Sequence, residues 1–258
     1  MTRGLLIVAT AVWISGCSLD RMDSDSASGD KALEQGVVFV LPGIEGRGPI
    51  SEGVIDGLRR SGVPYSLVTY EWGRPVPLLG PLLNQMDVLS NRAVAETLSQ
   101  RIQEYHQAYP NGKIYLIGHS GGAGVAVFAA EVLPDGFQID GVVLLSPSIS
   151  AGYDTSAALA HSRNGIVNFW SSSDVALLMV GTTVAGNMDG VHGPAAGALG
   201  FSRSRTGLYQ VPWEPQMRRS GNHGGHLDTA HAGFVADYVA PWVMSPSWPA
   251  GETQLSYR

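Results

Sequence analysis

Short apolar runs alternate along the chain with longer stretches whose apolar residues recur every three or four positions. The continuous apolar run 36–41 is typical of a strand that is buried on both faces of a parallel sheet, and another buried strand is predicted at 139–145. Further strands are predicted at 65–70, 113–117, 166–170 and 208–211. The helical spacing predicts helices over 50–60, 87–109, 122–132, 155–161 and 229–240.

This strand–helix alternation predicts an α/β domain with a mostly parallel central sheet and helices on both faces. Ligands of such sheets bind beyond the carboxyl ends of the strands, which directs attention to the loops that follow them. Those loops are 42–49, 71–87, 146–155, 171–190 and 221–228. In the last predicted helix Phe234 is paired with Tyr238, and Pro241 is expected to end that helix.

The most informative local motif is Gly118-His119-Ser120-Gly121-Gly122, which joins a predicted strand to a predicted helix. A serine in a G-x-S-x-G turn between a strand and a helix forms a nucleophile elbow, in which the serine backbone is strained. The flanking glycines let the strand and the helix approach each other without a Cβ clash. The pattern alone is weak in a chain with 33 glycines, and a glycine-rich turn without chemistry is the alternative.

The composition fits one globular domain after a short leader. Apolar residues make up 44% of the 258 residues, enough for one sizeable core, and charged residues make up only 15%. The net charge of −6 offers no basic patch for phosphate backbones, so nucleic acid is not expected as a partner. No nucleotide-binding or metal-ligand motif occurs, so no cofactor and no metal are expected.

The start of the chain has the layout of a secretory signal. A positive residue at Arg3 precedes the apolar stretch 4–14, and small residues lead to Cys17. Cys17 is the only cysteine of the chain, so no intramolecular disulfide can form. An ordinary cleaved signal with an incidental cysteine is one interpretation of this layout.

The residues around Cys17 also resemble the lipobox of bacterial lipoproteins, in which the cysteine is lipid-modified and becomes the first residue of the mature chain. This resemblance implies a signal peptide over 1–16, a lipidated Cys17 with a flexible tether over 17–35, and a folded domain over 36–258. It further implies an exported protein that is lipid-anchored to a membrane of the cell envelope. Ser18 resembles the residue that follows the cysteine in lipoproteins of the outer membrane.

The segment 36–243 as a whole resembles the α/β-hydrolase fold. The serine elbow follows the third of the six predicted strands, and the candidate side chains occur in that family's order of Ser, Asp and His. The resemblance implies a serine hydrolase, similar to esterases and lipases, that works through a catalytic triad and an acyl-enzyme.

A serine nucleophile needs a general base within hydrogen-bond reach and a third group that orients the base. Of the seven histidines, His223 and His226 lie on the loop directly after the last predicted strand. His226 is the candidate base because it adjoins the closing helix and follows two glycines that let the loop reach Ser120. His223 is the rival candidate. The remaining histidines are expected elsewhere: His106 and His161 on helices, His119 turned aside within the elbow, His192 in a Gly/Ala-rich stretch and His231 in the closing helix.

The candidate acid is Asp174, which follows the strand ending at Trp170 and so occupies the place that the α/β-hydrolase resemblance implies for the triad carboxylate. Asp154, Asp189 and Asp228 are the competitors. Asp228 lies only two residues from His226, and we expect it to cap the final helix instead.

An oxyanion hole needs two backbone donors that point at the developing charge. The N–H of Gly121, the residue after the candidate nucleophile, is the first candidate. By resemblance, the second donor comes from the loop after the first strand, and the N–H of Ile44 is the candidate there. This loop has Leu41-Pro42-Gly43 instead of the family's common His-Gly start, so Glu45 is the alternative donor.

The loop 71–83 is apolar and rich in proline, and its leucines either line a groove for an acyl chain or fold back into the core. The function that fits best is hydrolysis of carboxylic esters, with a small-molecule or lipid ester as the substrate. An acyltransferase or amidase with the same triad is one alternative. A binding lipoprotein that keeps the hydrolase scaffold without catalysis is the other.

Overall fold

A computed structural model describes residues 30–73, 87–174 and 186–249. The predicted signal peptide 1–16, Cys17 and most of the apolar loop 71–83 lie outside these residues. No helix within the described ranges combines the length and the apolar character needed to cross a membrane.

All six strands predicted from the sequence are present. They are β1 Gly36–Leu41, β2 Ser66–Thr69, β3 Lys113–His119, β4 Gly141–Leu145, β5 Ile166–Trp170 and β6 Leu208–Pro212. The α-helices of the described residues are α1 Asp30–Gln35, α2 Pro49–Arg60, α3 Val88–Ala108, α4 Gly121–Glu131, α5 Ser156–Ala160, α6 Ala196–Leu199, α7 Ala232–Phe234 and α8 Ala240–Met244. Two 3-10 turns, Pro215–Ser220 and Asp228–Ala230, and a π turn, Val235–Val239, complete the carboxyl-terminal part.

The strands form one six-stranded sheet in the order β2-β1-β3-β4-β5-β6, and every neighbouring pair is parallel. The predicted α/β class with a parallel central sheet is therefore confirmed. The chain passes from β1 to β2 on one side and then to β3 on the other. The carboxyl ends of β1 and β3 thus flank a topological switch point, where open α/β sheets bind their ligands.

Both faces of the sheet are covered, because successive strand residues point to opposite faces. In β1, Val37, Phe39 and Leu41 pack in the cluster that contains α3 and α4, whereas Val38 and Val40 pack against α2 and the closing helices. Burying one such side chain stabilises the fold by about 1.5–3 kcal/mol. The sheet is therefore a rigid frame for the loops at its carboxyl edge.

A short helix, α1, precedes the first strand. Its Ala32 is buried and its Leu33 packs against the core. The Tyr105 hydroxyl of α3 donates a hydrogen bond to the Leu33 carbonyl at 2.6 Å. The described chain is thus already packed against the domain before β1 begins.

The end of the closing helix differs from the prediction. Pro241 was expected to stop the helix, but the helical chain continues through it to Met244. The N–H of Ala240 bonds to the carbonyl of Val235, five residues back, in the π turn. Pro241 then stands in the first turn of α8, where a missing N–H costs no intrahelical hydrogen bond.

Candidate active site

Ser120 lies in a sharp turn between β3 and α4. Its φ of 52° and ψ of −121° are sparsely populated for a residue with a side chain, and such a conformation costs about 1–3 kcal/mol. A Cβ on Gly118 would lie 2.4 Å from the Cα of Ala123, and one on Gly122 would lie 2.2 Å from the carbonyl oxygen of Pro42. Only glycine allows these approaches, and the one at Gly122 holds the turn against the chain at the end of β1.

A parallel sheet in this order, with an elbow after its third strand, has the arrangement of the α/β-hydrolase fold. The elbow lies at the switch point, so the Ser120 hydroxyl stands above the carboxyl edge of the sheet. The N–H of Ser120 itself bonds to the Leu145 carbonyl at 3.0 Å, which ties the elbow to the end of β4.

Ser120, His226 and Asp174 are brought together at this edge. The Oγ of Ser120 lies 2.8 Å from Nε2 of His226, 106 positions later in the chain. The Nδ1 of His226 lies 2.8 Å from Oδ2 of Asp174, across 52 positions. All three side chains are buried, since Ser120 is 6%, His226 8% and Asp174 3% exposed.

The partners of the His226 ring determine its tautomer. An ionised carboxylate only accepts hydrogen bonds, so Nδ1 carries the hydrogen and donates it to Asp174. Nε2 is then free to accept the hydroxyl hydrogen of Ser120. This arrangement is suited to removing a proton from Ser120 and to stabilising the imidazolium that results.

Asp228 shapes the loop that carries His226. Its Oδ2 accepts the N–H groups of His223 at 3.1 Å and Gly225 at 2.9 Å. The expectation that Asp228 caps the final helix is therefore wrong. Gly224, with φ of 96°, folds the loop back so that both N–H groups meet the carboxylate. At the start of α7, Nδ1 of His231 lies 3.2 Å from the Gly233 nitrogen and 3.0 Å from the Ser220 carbonyl oxygen.

The rival candidates are engaged elsewhere. His223 is exposed, three residues from the ring that meets Ser120. Asp154 is exposed and pairs with Arg203 at 3.2 Å and with Arg205 at 3.1 Å. The carboxylate of Asp189 accepts the hydroxyl of Ser150 at 2.5 Å and the N–H of the same residue at 3.2 Å.

The two candidate oxyanion donors lie on neighbouring turns. Gly121 is the first residue of α4, where backbone N–H groups have no acceptor in the helix. Ile44 lies in a turn closed by a 3.0 Å hydrogen bond from the Gly46 N–H to the Gly43 carbonyl. Among the described residues, neither the Gly121 nor the Ile44 amide has an acceptor.

Three apolar side chains adjoin Gly121. A Cβ on this glycine would lie 2.9 Å from the Ile44 side chain, 3.1 Å from the Trp72 ring and 3.3 Å from the Met188 sulfur. The Trp72 indole N–H donates to the Pro42 carbonyl at 2.7 Å, which fixes the ring beside the loop that follows β1. The site thus has an apolar wall next to the candidate donors.

Glu45 has its carboxylate folded back over its own turn. The Oε1 atom accepts the Gly43 N–H at 3.1 Å and lies 3.8 Å from Nδ1 of His119. Burial raises the pKa of Glu45, but the proximity of His119 and the backbone N–H bonds outweigh it. The net effect is a pKa below its ordinary value of 4.5. This side chain stabilises the turn in its ionised form, whereas its N–H remains the alternative oxyanion donor.

His119 is not remote from the site. Its Nε2 lies 3.1 Å from the backbone carbonyl oxygen of His226. Sequence reasoning did not assign this contact, because it depends on the fold of a loop 107 positions later. The available signal was the place of His119, directly before the elbow serine and at the end of a buried strand.

Within residues 30–73, 87–174 and 186–249, no group of three or more His, Cys, Asp and Glu side chains is placed to hold a metal ion.

No protein-family model matches this chain, and no curated protein sequence matches it. Solved structures that are similar to it include TT1662 from Thermus thermophilus, at 16% identity and a TM-score of 0.48, covering 82% of this chain and 90% of that one. A dienelactone hydrolase from Anabaena variabilis has 18% identity and a TM-score of 0.44, covering 81% and 86%. A carboxylesterase from Mesorhizobium loti has 15% identity and a TM-score of 0.41, covering 80% and 88%. The activities in these names are those of the neighbours.

Proposed function

We propose that this chain is a serine hydrolase of carboxylic esters, with Ser120 as nucleophile, His226 as general base and Asp174 as the orienting acid. The observation that carries the proposal is the pair of 2.8 Å contacts that join these side chains through the two ring nitrogens of His226. A surface histidine with a chance hydrogen bond would not have a buried serine on one nitrogen and a buried carboxylate on the other.

In the first half of the reaction, Ser120 Oγ attacks the carbonyl carbon of the ester while Nε2 of His226 takes the hydroxyl proton. The carbonyl oxygen becomes an oxyanion, which accepts hydrogen bonds from the N–H groups of Gly121 and Ile44. The tetrahedral intermediate then collapses. The alcohol leaves with the proton from His226, and the acyl group stays on Ser120 as an ester.

In the second half, water replaces the alcohol. His226 takes a proton from the water as its oxygen attacks the acyl carbon, and the same two amides hold the new oxyanion. Collapse returns the proton to Ser120 and releases the carboxylic acid. Asp174 keeps the proton on Nδ1 throughout and is not itself protonated.

The apolar wall of Ile44, Trp72 and Met188 supports a substrate with an apolar acyl group, either a small-molecule ester or a lipid ester. These side chains would contact the acyl part, because they adjoin the amide that holds its carbonyl oxygen. No described feature favours a transferase or an amidase over an esterase.

A fluorophosphonate probe tests the proposal, since it reacts covalently with an activated serine. The full chain, extracted in mild detergent, should be labelled and should hydrolyse p-nitrophenyl esters. Ser120→Ala should abolish both, whereas Ser156→Ala, at an exposed serine away from the site, should leave both unchanged. A folded wild type that neither reacts with the probe nor hydrolyses any of the p-nitrophenyl esters would overturn the proposal in favour of a binding protein.

The same assay separates hydrolysis from acyl transfer. Ester turnover is measured in water alone and with added alcohol or amine acceptors, and the products are identified by mass spectrometry. Free acid as the main product supports the hydrolase. A predominant transfer product at low acceptor concentration would reassign the chain as an acyltransferase.

We also propose that a lipid on Cys17 anchors the protein to a membrane of the cell envelope, on the basis of the sequence before and around Cys17. Cys17→Ser should release the protein from the membrane fraction of a bacterial host, whereas Ser24→Ala, in the polar segment that follows, should not. Unchanged membrane association of the Cys17→Ser chain would contradict lipid anchoring.

A further inference from the structure

We propose that His119 is a positioning residue, which holds the backbone carbonyl of His226 and thereby sets the place of the His226 ring against Ser120. This inference rests on the proposed hydrolase function. It assigns to the residue before the nucleophile a role that its own sequence neighbourhood does not reveal.

The contact itself has a definite direction. A carbonyl oxygen only accepts hydrogen bonds, so Nε2 of His119 carries the hydrogen and donates it across 3.1 Å to His226. The two imidazole rings lie 5.1 Å apart between centroids, and His119 is only 2% exposed. Water therefore does not compete for this carbonyl from the side of His119.

The position of His119 makes it a good reference point for the base. It is the last residue of β3, paired with Leu145 in β4, and it is bonded directly to Ser120. Its backbone is thus fixed relative to the nucleophile by the sheet. Its side chain therefore holds the His226 carbonyl, 107 positions later in the chain, at a fixed place relative to Ser120.

The same carbonyl has a second donor on its other side. The hydroxyl of Thr229 donates to the His226 carbonyl at 3.4 Å and lies 3.1 Å from the hydroxyl of Ser146. Ser146 follows β4 with a positive φ of 45°, an uncommon conformation for a residue with a side chain. The buried side chains of His119, at the sheet edge, and Thr229, in the loop, thus both contact the backbone carbonyl of His226.

The other ring nitrogen of His119 faces the loop after β1, which carries Ile44 and Glu45. Its Nδ1 lies 3.8 Å from the Glu45 carboxylate, which in turn accepts the Gly43 N–H. His119 therefore bonds to the loop of the proposed base and, beyond hydrogen-bond distance, lies near the Glu45 carboxylate while it adjoins the nucleophile.

Two variants of His119 carry the same amide group on side chains of different length. They distinguish a role in positioning the His226 carbonyl from a role in filling space in the core. In His119→Gln the amide nitrogen occupies about the place of Nε2 and can donate to the His226 carbonyl. In His119→Asn the amide is one methylene shorter and falls short of it. The Asn variant should lower kcat about 10- to 100-fold with KM within about twofold, because a displacement of roughly 1 Å can cost this much, whereas the Gln variant should keep most of the activity.

His161→Leu is the matched control, because Nδ1 of His161 also contacts a backbone carbonyl, that of Phe137, at 2.8 Å. That contact lies near the amino ends of β4 and β5, away from Ser120, so its loss should leave kcat unchanged. Thermal melting of each variant establishes that it is folded before rates are compared. Equal kcat values for the Gln and Asn variants, whether both wild-type-like or both low, would overturn the proposal.

A second readout does not depend on turnover. The Nδ1 proton of His226 should give a low-field proton NMR signal, which His226→Gln removes. His119→Asn should shift or broaden this signal, while His119→Gln and His161→Leu should not. A signal unaffected by His119→Asn refutes the positioning role even if the enzyme is active. Conversely, a wild type without probe labelling or ester turnover refutes the proposed function, whatever the NMR signal shows.

Discussion

Asp174 and His226 meet through a 2.8 Å hydrogen bond between Oδ2 and Nδ1, although they stand 52 positions apart. The turn after β5 holds Asp174 in place, because its N–H donates to the Ser171 carbonyl at 3.1 Å. The carboxylate is thus presented to the ring by a loop that the sheet edge positions. The proposed mechanism depends on this contact, since it determines which ring nitrogen faces Ser120.

Replacing Asp174 by asparagine should therefore leave the shape of the site but change the tautomer of His226. An amide that donates toward Nδ1 favours the hydrogen on Nε2, where it can no longer accept from Ser120. We expect kcat for p-nitrophenyl ester hydrolysis to fall by about 10⁴-fold in Asp174→Asn. Asp154→Asn, at an exposed aspartate, is the control and should behave as wild type. A drop of less than tenfold in Asp174→Asn would mean that another group orients the base.

The two loop histidines provide a matched pair of variants. His226→Ala should lower kcat by about 10⁵- to 10⁶-fold, because the base contact at 2.8 Å from Ser120 is lost. His223→Ala should stay within about twofold of wild type, since His223 is exposed and its link to Asp228 runs through the backbone N–H. Initial rates at saturating ester give both values. The reverse pattern of losses would assign the base to His223.

Gly122→Ala should destabilise the fold, because the new methyl group would lie 2.2 Å from the Pro42 carbonyl oxygen and 2.4 Å from that of Leu41. Both contacts are with backbone, which cannot move aside as a flexible side chain could. We expect a loss of at least about 1–3 kcal/mol in the free energy of unfolding, measured by urea denaturation. In Gly152→Ala the added Cβ has no atom within 4 Å, so that variant should be nearly unchanged. Similar stability of the two variants would show that the elbow and the loop after β1 are not packed as described.

Glu45→Gln should reveal the pH dependence of one charge next to the site. The pKa of Glu45 is lowered in the folded protein from its ordinary 4.5, so its ionised form stabilises the fold at neutral pH. This contribution is present above the unfolded-state pKa and is lost as the pH falls through the lower folded-state pKa. The wild type should thus unfold at a higher urea concentration than Glu45→Gln at pH 7, and the gap should narrow as the pH falls below 4.5.

Glu96→Gln controls for the loss of one negative surface charge, since Glu96 is exposed on α3. Urea midpoints of the three proteins across the acidic range give the comparison. A gap between wild type and Glu45→Gln that widens on acidification would contradict the ionised state of Glu45 in the fold.

Several elements were predictable because their signals are local. The strand at 36–41 follows from a continuous apolar run, since only the interior of a parallel sheet buries every residue of a strand. The elbow was visible because part of the steric demand on glycine acts between residues only a few positions apart, as between Gly118 and Ala123. The continuation of the helix through Pro241 was not predicted. A π turn directly before α8 places this proline in the first turn of α8, where its missing N–H costs no hydrogen bond.

The sequence by itself determined the order of the elements, the sheet class and the turn that holds Ser120, because hydrophobic periodicity and local glycine sterics act between residues close together in the chain. It left His223 and His226 both open as the base, and only the tertiary structure decided which ring meets Ser120. That choice depends on how Asp228 folds its loop and on how His119, 107 positions earlier, holds the His226 carbonyl. Hydrogen bonds between residues so far apart in the chain produce no periodic pattern in the sequence. They form only when folding brings these residues together at the edge of the sheet.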